Sequence, residues 1–446
     1  MLPLLASVNP KIEEVMLTVL VQLIIIIIAA RIFAAIFRWF RQPQVVGEIA
    51  AGLILGPSCF GYFFPELSHQ IFNPEVSEVF GVFSQLGLIL LLFLIGLEFD
   101  FNHLRWNGAA AFTISLSGII LPFALGAGLA PFIHPYLEPL KETGEPVAFW
   151  GFLLFMGTSM SITAIPILGR MMMELGITRT KLGAITISAA AVDDACGWII
   201  LATISSIVAA KYNPLLTLRM IGLTIGFLLL MIFVVRPLAK RAVKYALTAG
   251  RGELSMNHLA VLFICLFACA IATNLIGIFG IFGAFLFGTI LSDEHEFREA
   301  VGKQFRNFVT VFFLPIFFTY TGLRTNIGTL DTPIHWLLLS GVLFAAIFGK
   351  LGGCGIAAKL CGFSNKESFI IGTMMNTRAL MELIVINVGR NLGVIPDSVF
   401  CMLVLMALLT TVMTTPMILW SYRGTELEPF IKASGFLGPV KVKKKH

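Results

Sequence analysis

Two carboxylates stand side by side in Ala189-Ala190-Ala191-Val192-Asp193-Asp194-Ala195-Cys196-Gly197-Trp198, inside a stretch with no other charge from Leu182 to Ala210. That stretch is long enough to cross a bilayer as a helix. An ionisable side chain at the centre of such a helix costs roughly 2.5–3.5 kcal/mol on insertion scales. The pair must therefore face water, a cation or a buried base. Successive helix residues are about 100° apart, so the two carboxylates point different ways. One can look into a cavity while the other looks at a partner inside the protein. A charge pair that fixes helix register is the plain reading; a site for protons, cations or both is the chemical one.

The rest of the chain fits a membrane setting. Of its 446 residues 57% are hydrophobic and 13% charged, where a soluble protein carries about 25% charged residues. An all-α polytopic membrane protein follows, because each span must satisfy its own backbone hydrogen bonds. Apolar runs predict thirteen spans, near 12–38, 43–57, 77–98, 106–133, 147–171, 181–210, 216–238, 255–276, 278–292, 303–323, 334–358, 366–390 and 397–420. No N-terminal signal peptide is expected, since no basic region precedes the first run.

The net charge of +6 does not indicate nucleic acid; its distribution orients the chain. Bases collect in alternate loops, at Arg38 and Arg41, at Arg170, Arg179 and Lys181, from Arg236 to Arg251, at Lys359 and Lys366, and in the tail from Lys432 to Lys445. The other loops hold Glu66, Glu75, Glu78, Glu138, Glu142 and Glu145. Positive loops stay inside, which places the N-terminus outside and the C-terminus inside. The acidic Asp293–Glu299 loop is the exception. The basic tail from Lys441 to Lys445 reads as a solvated end that touches anionic lipid. The 7 Cys lie mostly within apolar runs; Cys265 and Cys269, helix neighbours at i,i+4, read as small buried hydrophobes, and no Cys or His spacing resembles a zinc site. None of the 7 His is assigned a role.

Two spans carry polar interruptions at membrane depth. In the fifth, Gly157-Thr158-Ser159-Met160-Ser161-Ile162-Thr163-Ala164-Ile165-Pro166 sets hydroxyls beside a proline, which removes a backbone donor. In the twelfth, Thr373-Met374-Met375-Asn376-Thr377-Arg378-Ala379-Leu380-Met381-Glu382-Leu383 does the same with charge. A simple kink is one reading. Two interrupted helices crossing in opposite directions, in matching places of two inverted halves, are the other, and they point to a transporter's midplane site. Their exposed ends would leave dipoles uncompensated. Asp194 is placed to neutralise one set, and Arg378 or Glu382 the other. Lys350, near the middle of the eleventh span, needs an anion. In inverted halves that span sits beside the sixth, which makes Asp193 its partner. Glu48, at the start of the second span, reads as a packed or interfacial group.

These motifs resemble those of the monovalent cation:proton antiporter-2 family over nearly the whole chain, from Gln42 to Trp420. The resemblance rests on Pro43 to Ile49, Leu94-Ile95-Gly96-Leu97-Glu98, Thr163 to Leu168, the Asp193–Asp194 pair, Leu314 to Phe318, Gly322-Leu323-Arg324-Thr325, Lys350, and Arg378 through Gly389. It implies thirteen helices in two inverted repeats joined by the seventh, with two crossing discontinuous helices. Residues 1–105 and 255–330 would form a dimerisation domain, 106–210 and 331–422 an ion-translocating core, 211–254 a linker helix and 423–446 a short basic tail. It also implies a homodimer working by an elevator-like motion.

Carried onto this chain, the resemblance makes Asp194 the Na+ and proton carrier and Asp193 the partner of Lys350. Thr158, Ser159 and Thr163 lie on the broken helix near that site. Arg378 and Glu382 compensate the break. Many sodium/proton members carry an acidic residue two positions after the twelfth-span arginine. Here that position is Leu380 and the acid is Glu382. The pattern is similar to cyanobacterial antiporters and plant cation/proton exchangers, some of which carry potassium, so Na+ and K+ both remain open. The expected activity is electrogenic exchange of Na+, or of K+ or Li+, for H+, without cofactor or enzyme chemistry, in a cell inner membrane or a thylakoid membrane. Only a short segment follows Trp420, so the long soluble C-terminal region of some relatives is not expected. An intramembrane aspartyl protease is the rival from another class. It needs two facing aspartates, whereas adjacent helix positions point apart. A passive channel would need a repeated filter motif.

Overall fold

A computed structural model describes residues 10–72, 74–98, 108–139, 144–178, 180–210, 213–249, 254–434 and Phe436. Arg179, Glu142, Arg251 and the basic stretch from Lys441 to Lys445 lie outside the described residues. All thirteen expected runs are helical, and no strand occurs among the described residues. Among the described residues nine helices are long and apolar enough to cross a membrane, two further spans are bent helix pairs, and two are shorter apolar helices. The chain is a polytopic α-helical membrane protein.

In order, the spans are Pro10–Trp39, Gln44–Leu55, Pro74–Glu98, Gly108–Ile133, the pair Phe149–Ser161 and Ile165–Glu174, and Lys181–Ala209. The seventh runs from Pro214–Leu230 through a π turn into Arg236–Ala249. There follow Met256–Ile276, Gly280–Ile290, a tenth that starts at His295–Val301 and ends in Leu314–Leu323, then Pro333–Leu360, the pair Asn365–Met375 and Leu380–Asn391, and Asp397–Ser421. Several helix starts carry oxygen caps. Asn213 and Ser255 accept the first N–H groups of the seventh and eighth spans, and Ser364 and Glu367 form a capping box on the twelfth.

Pairings between helices repeat with a two-fold logic. The first packs on the second as the eighth does on the ninth; the second on the tenth as the ninth on the third; the fourth on the fifth as the eleventh on the twelfth; and the fourth on the sixth as the eleventh on the thirteenth. Each pair maps onto the other by advancing seven spans, an odd step, so the halves are inverted. The fourth and eleventh pack on each other at the centre.

Glycines permit the tightest of these crossings. A Cβ on Gly52 would overlap the Thr319 carbonyl oxygen, and one on Gly322 the Ile49 carbonyl. In the mirrored pair, a Cβ on Gly96 would overlap the Phe285 carbonyl and one on Gly288 the Phe93 carbonyl. Helix backbones therefore touch directly, as small residues allow in membranes. Overpacking costs about 1–3 kcal/mol. Gly288→Val is expected to melt well below the parent in a detergent thermal-unfolding assay. Gly128→Ala, with nothing within 4 Å of its added methyl, is expected to melt at or slightly above it.

Much of the outer surface is apolar, as lipid requires, while the largely apolar interior also holds fully buried polar groups such as Asp193, Lys350 and Arg378. Leu17, Leu20, Val21, Ile24, Ile28 and Ile32 form one exposed stripe on the first span. Cys269 is half-buried but Cys265 is exposed, which corrects the reading of that pair as buried hydrophobes. In a bilayer an outward helix face is itself apolar, so a cysteine needs no core to sit in.

Two other features differ from expectation. The tenth span is bent by 47° and contains two π turns, Gly302–Arg306 and Val309–Phe313. Pro315 has no N–H to give the Val311 carbonyl one turn back. Arg31 of the first span donates to that carbonyl instead, at 3.3 Å. The second feature is the segment after the thirteenth span, expected only as a short basic tail, which is docked up to residue 434. Leu427 and Ile431 are fully buried, and Glu428–Ala433 is helical. The acidic exception at Asp293 also has a physical reason. Lys240 and Arg236 of the seventh span bond its carboxylate at 2.9 and 2.5 Å and hold the Asp293 carboxyl below its usual range.

Candidate functional site

The sixth span is held at its N-terminus by two caps. The Thr180 hydroxyl accepts the Gly183 N–H at 2.9 Å, and the Glu426 carboxylate accepts the Lys181 and Leu182 N–H groups at 2.6 and 3.4 Å. An anion here also complements the helix dipole. From that anchored end the helix runs inward and delivers Asp193 and Asp194 to the centre, 0% and 3% exposed. Gly197, three residues on, lies against the side chain of Ile162. The aspartate-bearing helix thus touches the interruption of the fifth span.

That interruption is real backbone, not a kink. Phe149–Ser161 ends, Ile162 and Ala164 are extended, and Ile165–Glu174 begins with Pro166 in its first turn. In the twelfth span Asn365–Met375 ends, Asn376 to Ala379 leave the helix, and Leu380–Asn391 begins. Ala379 has φ of 106°, a left-handed value that is rare outside glycine. Such a residue costs on the order of 1–3 kcal/mol and persists only where its surroundings fix it.

The two interruptions bond to each other. The Ala164 N–H donates to the Thr377 carbonyl at 3.1 Å, and the Thr163 hydroxyl donates to the Met375 carbonyl at 3.0 Å. Arg378 donates to the Ser159 carbonyl at 3.1 Å and the Ala346 carbonyl at 3.3 Å, while its own N–H reaches the Thr411 hydroxyl at 3.2 Å. The guanidinium therefore sits at the negative end of the first half-helix. Glu382 lies 3.7 Å from Arg378, in the first turn of Leu380–Asn391, where a carboxylate faces the positive end. Asp194 faces the Ile165 N–H at the positive end of the other half-helix. Opposite charges so meet the loose helix ends that the interruptions create.

The two aspartates differ sharply. Lys350 lies 2.8 Å from Asp193 Oδ2, with both side chains fully buried. Gly118 of the fourth span makes room: a Cβ there would overlap the Cys354 sulfur and come within 3.7 Å of Lys350 Nζ. Asp193 also faces the hydroxyl and N–H of Thr163. Asp194 has no basic side chain bonded to it, and its Oδ1 has no hydrogen-bond partner among the described residues. The structure thus brings together Asp193, Lys350, Thr163, Asp194, Arg378 and Glu382. Thr158 and Ser159 are also buried here, but their hydroxyls donate to their own helix, at Leu154 O and Met156 O. Only their oxygen lone pairs remain for another partner.

A cavity of about 350 Å³ lies between the second, third and tenth spans. Gln44 and Arg306 line it together with Ile167 and Leu380, which belong to the two second half-helices. Glu48 is buried, and its carbonyl accepts the Thr319 hydroxyl at 3.1 Å, so it is a packed group.

Sequence reasoning missed three contributors. Thr411 supports the Arg378 backbone, Ala346 offers its carbonyl, and Glu426 caps the sixth span. Thr410, Thr411, Thr414 and Thr415 recur at helical spacing in the thirteenth span, and that row of hydroxyls was the available signal for the first. A carbonyl leaves no sequence trace.

Comparison with known proteins agrees with this geometry. The model of the family described as "Sodium/hydrogen exchanger, transmembrane" matches residues 24–421. Cation/H(+) antiporter 17 of Arabidopsis thaliana is 37% identical over 93% of this chain and 49% of its own length. The Na(+)/H(+) antiporter NhaS4 of Synechocystis sp. is 36% identical over 91% of this chain and 98% of its own length. The K(+)/H(+) antiporter 1 of Saccharomyces cerevisiae is 30% identical over 89% and 46%. The chain thus spans about half the length of the plant and yeast relatives and nearly all of the cyanobacterial one. The sodium proton antiporter MjNhaP1 of Methanocaldococcus jannaschii shares the fold, with a TM-score of 0.62 at 16% identity over 95% of this chain and 100% of that one.

Proposed function

The chain belongs to the sodium/hydrogen exchanger family, and we propose that it is an electrogenic antiporter exchanging Na+ for H+ at Asp194. As a member of that family it is a cation/proton transporter and not an enzyme. The observation that carries the specific reading is the asymmetry of the two aspartates. Lys350 neutralises Asp193, while Asp194 stands at the helix interruptions without a basic partner. A carboxylate so placed holds either a proton or a monovalent cation, and each displaces the other.

In this reading Asp194 binds Na+ together with neighbouring oxygens from Thr158, Ser159 and Thr163. Arg378 and Glu382 keep the interrupted helices together as the site moves. The cavity lined by Arg306, Ile167 and Leu380 is the access route, taken here as opening on the cytoplasmic side, with the N-terminus outside. The glycine crossings tie the first to third and eighth to tenth spans into a rigid frame, which suits a dimerisation domain. The fourth to sixth and eleventh to thirteenth spans, joined through the Arg378 network, form the moving core of an elevator-like cycle in a homodimer. A cell inner membrane or a thylakoid membrane is the expected setting.

Exchange of K+ by the same site is the second reading, favoured by the yeast relative's stated substrate and by the acid at Glu382. Proteoliposomes carrying an internal pH dye separate the two. Addition of Na+ is expected to dequench the dye at lower concentration than K+. A response to K+ without one to Na+ assigns the site to potassium, and no response to either refutes exchange.

A further inference from the structure

We infer that Asn376 is a cation ligand whose side-chain amide oxygen sets the choice among monovalent cations. This rests on the exchange reading above but can be tested apart from it.

Asn376 is 0% exposed, and neither its Oδ1 nor its Nδ2 has a hydrogen-bond partner among the described residues. Buried polar groups are almost always paired. An unpaired amide costs on the order of 1–3 kcal/mol on mutational scales. The residue is fixed by its neighbours on both sides. The Met375 carbonyl accepts the Thr163 hydroxyl and the Thr377 carbonyl accepts the Ala164 N–H. The backbone of Asn376 therefore lies across from Thr163 and Ala164, whose next residue, Ile165, turns its N–H to Asp194. Thr377 Oγ1 is a second buried oxygen without a hydrogen-bond partner among the described residues, as are Asp193 Oδ1 and Asp194 Oδ1. Four buried oxygens without a hydrogen-bond partner among the described residues thus belong to the twelfth-span interruption and to the aspartate pair that faces the fifth-span one.

The chemistry points to a hard monovalent cation. Carboxylate and amide carbonyl oxygens suit hard cations in general. One carboxylate with neutral oxygens balances a single positive charge. A proton on Asp194 has no need of the amide, so Asn376 distinguishes the cation half of the cycle from the proton half. An amide oxygen also has fixed reach, which makes ion size matter.

The test uses the purified full chain and two readouts. In the first, the thermal midpoint is measured in detergent with added Li+, Na+ or K+ against an N-methylglucamine control. A cation that binds the folded form raises the midpoint. The parent is expected to be stabilised by at least one of them, and Asn376→Leu, close in size but apolar, is expected to lose that shift while melting at or above the parent without cation. In the second, the half-saturating cation concentration for exchange is expected to rise about tenfold or more in Asn376→Leu and the Li+, Na+ and K+ ranking to flatten. If Asn376→Leu does not fold, Asn376→Ser, which keeps a shorter oxygen, is expected to reorder the ranking. Unchanged cation shifts and ranking in the variants would overturn the inference, as would a uniform loss of turnover with half-saturation unaltered. Absence of exchange in a parent that still binds cation would instead count against the exchange reading.

Discussion

Proteoliposomes holding Asp194→Asn are expected to show no cation-driven proton movement above that of protein-free vesicles. Asparagine keeps the shape of aspartate but cannot trade a proton for a cation at neutral pH. The fold should not suffer. Asp194 has no basic side chain bonded to it, and one of its oxygens has no hydrogen-bond partner among the described residues, so its charge is a burden on the folded state. Charges buried without compensation destabilise, and sites kept for function often cost stability. The variant is therefore expected to unfold at or above the parent's temperature. Loss of transport with a raised or equal midpoint separates a functional carboxylate from a structural one. Normal exchange by the variant would remove Asp194 from the cycle.

The second large effect concerns Asp193 and Lys350. Lys350→Met leaves Asp193 buried with its Oδ2 partner gone, and breaking a buried pair in this way costs about 3–5 kcal/mol. The single variant should melt far below the parent. Asp193→Asn combined with Lys350→Met removes both charges and should recover most of that loss, a coupling that a double-mutant cycle reads directly. The pair also bears on charge movement. If Lys350 releases its proton when the cation binds Asp194, two protons cross for each monovalent ion. Turnover by the parent should then respond to an imposed membrane voltage. In the double variant the loaded site is neutral with either ion, so its turnover should ignore voltage. A voltage response in the double variant equal to that of the parent would exclude Lys350 as the source of the extra charge.

Much of this architecture was legible in the residues. Apolar runs give spans because a bilayer demands closed backbone hydrogen bonding. The interruptions at Ser161–Pro166 and Asn376–Ala379 showed as polar clusters where lipid tolerates none. Asp193, Asp194 and Lys350 stood out for the same reason. The bend in the tenth span did not, because π turns leave composition unchanged and Pro315 alone does not reveal that Arg31 replaces its missing donor. The docked segment after the thirteenth span was hidden as well. Glu426 looks like any surface acid until its carboxylate is found on the Lys181 and Leu182 N–H groups. Asn376 lay within the visible cluster, but only the structure shows that its amide has no partner among the described residues.

Competition between proton and cation for a single carboxylate has one direct measure, the half-saturating Na+ concentration of exchange as a function of pH in proteoliposomes. If Asp194 holds one or the other, that concentration should climb at least about tenfold for each unit of acidification on the acid side of the profile, and up to about a hundredfold where Lys350 also sheds its proton on cation binding, with the maximal rate unchanged. A half-saturating concentration that stays constant across those pH values would mean that proton and cation bind independently, and that no shared carboxylate couples them.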